Sequence, residues 1–484
     1  MSIRKRLPLS LFFILLTVCS LAQGRWDLRR CVEYAINNNL SVKQADIDAR
    51  FAKLTYEQSK ASQFGQANFS TQLGLNFGRS IDPTTNLFTT SQNVYQGIGL
   101  QAGASLFNWF STRRLIESNK LYYDAYTTRV DKIRTDVTLN VAAAYLTALL
   151  AREQMNLATT KLLLTRQQLD NTKKLVEAGS VPELNAAELE AQFATDTASF
   201  ISAQQTFDTD VLGLKIFLSM DPAAEFQLDT PAVESIPLEP ISELQPDIVY
   251  AMASTSFPQQ KMNDLLIKSA EKSVQSIKGQ LYPTLSVYGS LGNNFSNELR
   301  KTVTTPGPAQ ITQLYADNSG IQYPVYTPTA SSSHEKQPFG DIWNGYWTQL
   351  DNNFRQQIGF QLSVPIFNGN QVRTNYEKAK LNVKTANVTK ENDLLTLKQN
   401  IYNAYYNAVA SMEKFEANKK AVSTAERSFD LASKRYNIGL LNTIDYLTNQ
   451  NNLFTAKINQ LLAHYDFVFR MKVLEYYRGL GVKL

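Results

Sequence analysis

The chain has 484 residues, 43% hydrophobic and 19% charged, with 48 lysines and arginines against 43 acids and a formal charge of +5. Arg4, Lys5 and Arg6 precede the apolar run LFFILLTVCSLA, a secretory signal pattern in which Ser20 and Ala22 are the small residues before the cut. Loss of residues 1–22 leaves a charge of +2, mixed in sign along the chain, which excludes the electrostatic footprint of a nucleic-acid binder. The one remaining cysteine, Cys31, cannot form an internal disulfide, and His334 and His464 offer no metal-ligand spacing. Cys19 is a lipidation candidate, but Val18 occupies the place where a lipoprotein cut needs a small residue, so ordinary cleavage is expected. Beyond residue 22 no stretch approaches the roughly 18 apolar residues of a spanning helix, so entry into a membrane requires strands.

A first unit, 23–220, begins with a helical segment. NFSTQLGLNFG then alternates Phe69, Thr71, Leu73, Leu75 and Phe77 with Ser70, Gln72, Gly74 and Asn76, which predicts a strand over about 66–78. After a turn-rich loop, GIGLQAGASLF alternates the same way over about 96–106. From 108 to 177 neither Gly nor Pro occurs, and apolar residues from Leu115 to Leu149 recur at three- and four-residue steps, which predicts a helix about 100 Å long at 1.5 Å per residue. A helix of that length implies a coiled coil or a helical barrel. Gly179 fits a helix C′ position. Ser180 with Glu183 reads as a capping box, with Pro182 inside the first turn of a return helix over about 183–212. Residues 221–246, rich in Pro and Glu, read as a linker with little regular structure.

The second unit, 247–484, repeats the first. A shift of 260 residues, without a gap, places Gly99 on Gly359, Phe107 on Phe367, Asn108 on Asn368, Tyr145 on Tyr405 and Gly179 on Gly439. The earlier segments match at a shift of 216, Phe69 falling on Leu285, so about 44 extra residues lie between roughly 296 and 353. The second unit thus carries strands at about 283–293 and 356–366, a long helix at about 370–437 and a return helix at about 443–477, entered at Asn442 as N-cap with Asp445 three residues on. The inserted segment, with TPGPAQ, YPVYTPTASSS and DIWNGYW, reads as a loop facing the cell exterior.

Strands of about ten residues, apolar on one side and small and polar on the other, mark a transmembrane β-barrel wall. A soluble sandwich alternates similarly but gives the long helices no role. A lipid-exposed sheet has no open edges and four strands cannot close alone, so the wall is shared between chains; three chains supply twelve strands. The fold class expected is an α+β membrane protein whose duplicated halves form a shared, trimeric, 12-stranded transmembrane β-barrel and a long periplasmic α-helical barrel.

The order of helix, strand pair, long helix, Gly tip and return helix, written twice between DLRRCVEYAINNNLSVKQA and YRGLG, resembles the TolC-like outer-membrane efflux proteins. The resemblance covers nearly the whole mature chain. It implies a homotrimeric outer-membrane channel, embedded in outer-membrane lipid, whose periplasmic tips dock on an adaptor (membrane fusion) protein of an inner-membrane RND or ABC pump. It implies no enzyme and no cofactor, and no nucleophile motif, phosphate-binding loop or acid-base dyad is present. Export of small molecules by a tripartite pump is the first reading, protein secretion through an ABC exporter the second, and a non-conducting periplasmic coiled-coil protein the third.

By the same resemblance, Asp445 matches an acidic residue that rings the periplasmic entrance and points into the lumen, where three carboxylates would repel and favour cations. The alternative is that Asp445 only supports its own helix N-terminus. A second acidic ring falls on Thr448, the first-repeat equivalents are Asn185 and Glu188, and a basic latch position is Leu441, so the constriction expected here is thinner than the family's or differently wired. Gly179, Ser180, Val181, Gly439, Leu440 and Leu441 are the adaptor-docking tips, or simple turn residues. Phe107, Trp109, Phe110 and Phe367 are interfacial aromatics of a girdle, or packing residues where strand meets helix.

Overall fold

The structure, a computed structural model, describes residues 25–81, 86, 88–230 and 233–479; the signal segment and Cys19 lie outside the described residues. The described chain divides into a helical unit, 25–55, 118–271 and 381–479, and a strand-bearing unit, 56–117 and 272–380. The divisions fall within four helices.

In the strand-bearing unit, β1 (Gln66–Ile81), β2 (Phe88–Phe107), β3 (Thr284–Glu298) and β6 (Arg355–Ser363) form one antiparallel sheet in the order β1-β2-β3-β6. Its register pairs Phe69 with Leu100, Leu100 with Leu291, and Val287 with Phe360. Side chains alternate across a sheet, so one face collects Phe69, Leu73, Ile98, Leu100, Leu291, Ile358, Phe360 and Leu362. Except for the half-buried Ile98, these large apolar groups are exposed. The other face carries Ser70, Gln72, Gly97, Gly99, Ser290 and Gln361. The strand expected at 356–366 stops at Ser363, because Pro365 has no N–H for the ladder and biases Val364 before it. Its first-repeat counterpart, Ser105, has an N–H, and β2 continues to Phe107.

The inserted segment corrects the loop reading. Residues Arg300–Asn318 (β4) and Ile321–Lys336 (β5) form a separate hairpin, followed by a 3-10 turn at Asp341–Trp343 and a short helix, Tyr346–Asn352. The prolines that argued for a loop are compatible with strands here, since each strand of a two-stranded hairpin has a free edge where a missing N–H breaks no ladder bond. The turn and short helix seal the part of β3 that β6 does not reach. Gln349 Oε1 accepts from the Ser296 N–H at 3.1 Å, the Asn297 amide donates to Ile342 O at 2.8 Å, and Phe295 is buried between Trp343 and Tyr346, 5.4 and 5.0 Å away.

The helices show the duplication residue for residue. α1 (Leu28–Asn38) and α5 (Pro246–Ser256) have 11 residues each, and α2 (Leu40–Ala61) and α6 (Pro258–Gly279) have 22. α3 (Ser111–Glu177) and α8 (Gln371–Asn437) have 67, and α4 (Glu183–Leu218) and α9 (Thr443–Arg478) have 36. The shift of 260 carries the later pairs end on end. For the earlier pairs, and for the starts of β1 and β3, the shift is 218 rather than 216. A slip of two residues leaves every strand side chain on its own face, so alternation alone could not detect it.

The helical unit has two larger cores. One gathers Leu28, Cys31, Val141, Tyr145, Leu149, Leu214, Leu218 and Val468; the other gathers Val249, Ala253, Ile401, Ala408, Met471 and Leu474. The segment expected as a linker with little regular structure contributes to both: Val233 and Ile236 are buried in the first and Leu244 in the second. Lys472 Nζ donates to Pro237 O at 2.6 Å, and its partner Glu475, 2.8 Å away and equally buried, accepts from the Glu239 N–H at 2.9 Å. Tyr145 donates its hydroxyl to Asp229 O at 2.9 Å. Regular structure is sparse there, and backbone groups of Asp229, Pro237 and Glu239 are satisfied by buried side chains.

Candidate functional site: the paired helical tips

Both tips end their long helices alike. Gly179 has φ 69° and Gly439 φ 74°, where a Cβ would be strained. The Ser180 and Leu440 N–H groups donate to Leu175 O and Arg435 O, both at 2.8 Å, while Gly179 and Gly439 donate to Val176 O and Tyr436 O. These paired bonds form the Schellman motif, which satisfies carbonyls that a helix end otherwise leaves bare.

The return helices begin differently. Asn442 Oδ1 accepts from the Asp445 N–H at 2.7 Å, and the Asn442 amide donates to Asp445 Oδ2 at 2.9 Å, a reciprocal cap. At the first tip the capping box expected from Ser180 and Glu183 is absent. Pro182 is the N-cap and has no side-chain donor or acceptor, Glu183 is the first helical residue, and Ser180 is already engaged as the end of the preceding motif.

The tips meet in a cleft of about 860 Å³. Ser180, Val181 and Asn185 line one side and Gly439, Leu440 and Leu441 the other, with Gln168, Asn171, Asn437 and Asn442 completing a wall of neutral amides. Asp445, Thr448 and Glu188 do not line it. Asp445 and Thr448 are exposed and Glu188 is half-buried, and Thr448 returns its hydroxyl to Ile444 O at 2.8 Å. Beneath the cleft, Leu169, Leu189, Tyr446 and Leu447 are buried. Tyr446 stacks on Tyr436 at 4.5 Å, and burial pushes its phenol up to about 12.

One cluster escaped the sequence reading. Asp196, 1% exposed, accepts from the Thr165 hydroxyl at 2.7 Å, from Lys161 Nζ at 2.8 Å and from the Gln192 amide at 2.8 Å. Gln450 and Asn451 of α9 reach Thr165 and Gln192 at 3.5 and 3.4 Å, which ties the second hairpin to the first. The signal was available: Ala186, Leu189, Phe193 and Asp196 lie at helical spacing, so an acid stands on an otherwise apolar stripe. Gln450 Oε1 and Thr443 Oγ1 are buried without a partner.

The aromatic positions gather in part. Phe107 lies 5.4 Å from Trp109 and 5.8 Å from Phe110, and Trp109 lies 4.9 Å from Tyr282 and donates Nε1–H to Pro283 O at 2.8 Å. Phe367 is highly exposed and outside this cluster. Trp109 and Phe110 have φ of 52° and 61°; their second-repeat counterparts, Gly369 and Asn370, have 62° and 60°. The same left-handed corner is therefore built once from residues that accept it and once from residues that resist it.

Among the described residues no helix is long and apolar enough to cross a membrane, and no group of three or more His, Cys, Asp or Glu side chains could hold a metal ion. The side chain of His334 lies outside the described residues.

Comparison with known proteins follows the architecture. The outer membrane protein TolC of Escherichia coli K12 is 23% identical over 96% of this chain and 84% of its own length. The outer membrane efflux protein BepC of Brucella suis biovar 1 is 20% identical over 81% of this chain and 73% of its own. The crystal structure of the Campylobacter jejuni CmeC outer membrane channel superimposes with a TM-score of 0.68, at 18% identity, over 94% of this chain and 86% of that one. The profile of the outer membrane efflux proteins matches residues 32–218 and 321–470, more than half of the sequence, and with the duplicated hairpins it places this chain in that family of TolC-like proteins, located in the outer membrane.

Proposed function

We propose that three copies of the chain form a passive duct that carries small molecules expelled by a tripartite pump. The observation that carries this reading is the four-stranded sheet. One face is exposed and apolar, and its outer strands, β1 and β6, each keep an edge without a strand partner among the described residues. An open edge in lipid costs several kcal/mol for each unsatisfied backbone group, so a lipid-facing sheet of this kind closes only by joining others. Three copies give twelve strands, within the range of closed outer-membrane walls.

The cleft between the tips, neutral and amide-rich, is the docking place for a periplasmic adaptor, with Gly179 and Gly439 shaping the turns that frame it. The pump behind that adaptor is of the RND or ABC kind. Asp445 stands at a tip end where three copies would bring three carboxylates together. Phe107, Trp109, Phe110 and Phe367 lie where strand passes to helix, the position of an interfacial girdle. Planar-bilayer recording of the detergent-purified protein, with native mass measured on the same sample, tests the duct: stepwise currents from a species of three chains are expected. A three-chain species that never conducts, or a single chain that does, overturns it.

A further inference from the structure

We infer that α2 of one copy is covered by α8 of the next, in a head-to-tail seam whose register is written inside the chain. The inference rests on the three-copy reading above and adds the residues that join the copies.

The template is α6. On one flank it packs on α8, with Asp264 bound to Lys390 at 2.6 Å and the Asn263 amide donating to Asp393 at 2.8 Å. On the other it packs on α3 of the opposite half: Ser118 and Ser269 exchange hydroxyl bonds to each other's carbonyl oxygens at 2.8 and 2.9 Å, both buried. A helix of the second half is thus held between its own long helix and the other half's.

α2 is the first-repeat counterpart of α6, and only one of its flanks is filled. Ala45 and Ala49 bury against Val130 of α3, with Asp48 paired to Arg129 at 3.5 Å. The flank that corresponds to Ser269 carries Leu40, Ile47, Phe51 and Leu54, which are 70, 46, 65 and 60% exposed. Leu40, Ile47 and Leu54 recur every seven residues, the spacing of a seam meant for another helix. A second open stripe of the same spacing runs along α8, the counterpart of α3, through Leu381, Val388 and Leu395, 58, 63 and 69% exposed.

The two stripes fit each other. Carried through the helix correspondences, with α2 ending at Ala61 where α6 ends at Gly279, and α3 beginning at Ser111 where α8 begins at Gln371, the antiparallel register of Ser118 with Ser269 sets Ile47 beside Leu381 and Leu40 beside Val388, each within one residue. Nothing in the heptad spacing requires that agreement. Leu395 extends the stripe past the start of α2. The contact made by serines within the chain becomes apolar between copies, where burial must also drive association.

Cysteines at Ile47 and Leu381 test the seam on the full-length protein. The oxidised I47C/L381C variant should run as linked dimers and trimers on a denaturing gel, while either single cysteine should stay unlinked. Separately, Ile47→Glu and Leu381→Glu should each lower the temperature at which the assembly falls to single chains, and Ile47→Lys with Leu381→Glu should recover part of the loss. Circular dichroism should be unchanged, both positions being exposed in the single chain. A native mass of three chains without intermolecular links, or with both charge variants as heat-resistant as the parent, overturns the seam and leaves the duct standing. A native mass of one chain removes the three-copy reading itself.

Discussion

At the scale of single residues, the cap that Asp445 completes and the constriction proposed for it are separated by different measurements. Its backbone N–H and carboxylate are both used by Asn442, so the capping role is complete within one chain and contributes about 0.3–1 kcal/mol. Replacing Asp445 by Ala should therefore lower the unfolding midpoint only slightly, while raising conductance or weakening block by divalent cations if three carboxylates line a constriction. A change in stability with unaltered conductance would leave the cap alone. Asp196 behaves oppositely. Asp196→Ala leaves Lys161 without its buried partner and should cost about 3–5 kcal/mol, read by denaturant midpoints. Asp445 was legible because a cap is a local pattern spanning four residues. The Asp196 partners Thr165 and Lys161 were not, because they stand on α3, a helix whose meeting with α4 no local spacing encodes.

Elements were legible where one period ran long. The two 67-residue helices lie within a few residues of the spans expected from the absence of Gly and Pro, and the register of the sheet puts the alternating apolar and small polar residues of the strands on opposite faces. What failed was composition read as conformation: the hairpin β4–β5 contains Pro, Ser and Thr, yet two strands with free edges accept all three. The corners between strand and helix offer a direct measure of local conflict. Phe110→Asn adopts the second repeat's solution, relieving about 1–2 kcal/mol of left-handed strain against about 0.5–1.5 kcal/mol for one edge contact with Phe107. Its unfolding midpoint should match or exceed the parent's. Trp109→Gly loses two ring contacts and the bond to Pro283 O, and should be the less stable of the two. A loss above about 3 kcal/mol for Phe110→Asn would mean that Phe110 is held by a surface outside its own chain.

At the scale of the whole molecule, duplication could be read from the sequence, while the faces left uncovered within one chain became visible only in the structure. The sheet makes the sharpest case, because adjacent residues of β6 belong to different surroundings. Phe360 stands on the exposed apolar face beside Val287, and Gln361, its neighbour, on the small polar face beside Ser286. In a soluble sandwich both faces would need protein or water, and an arginine at an exposed position would cost little at either. In a membrane wall, arginine toward lipid costs about 2–4 kcal/mol near the midplane, while arginine toward the lumen costs little and alters the pore's charge. Phe360→Arg should therefore lower the unfolding midpoint in lipid vesicles by that amount, and Gln361→Arg should leave stability intact while shifting ion selectivity toward anions. Equal, small effects in both variants would show that lipid does not cover the apolar face, and with that the argument for a shared barrel would fall.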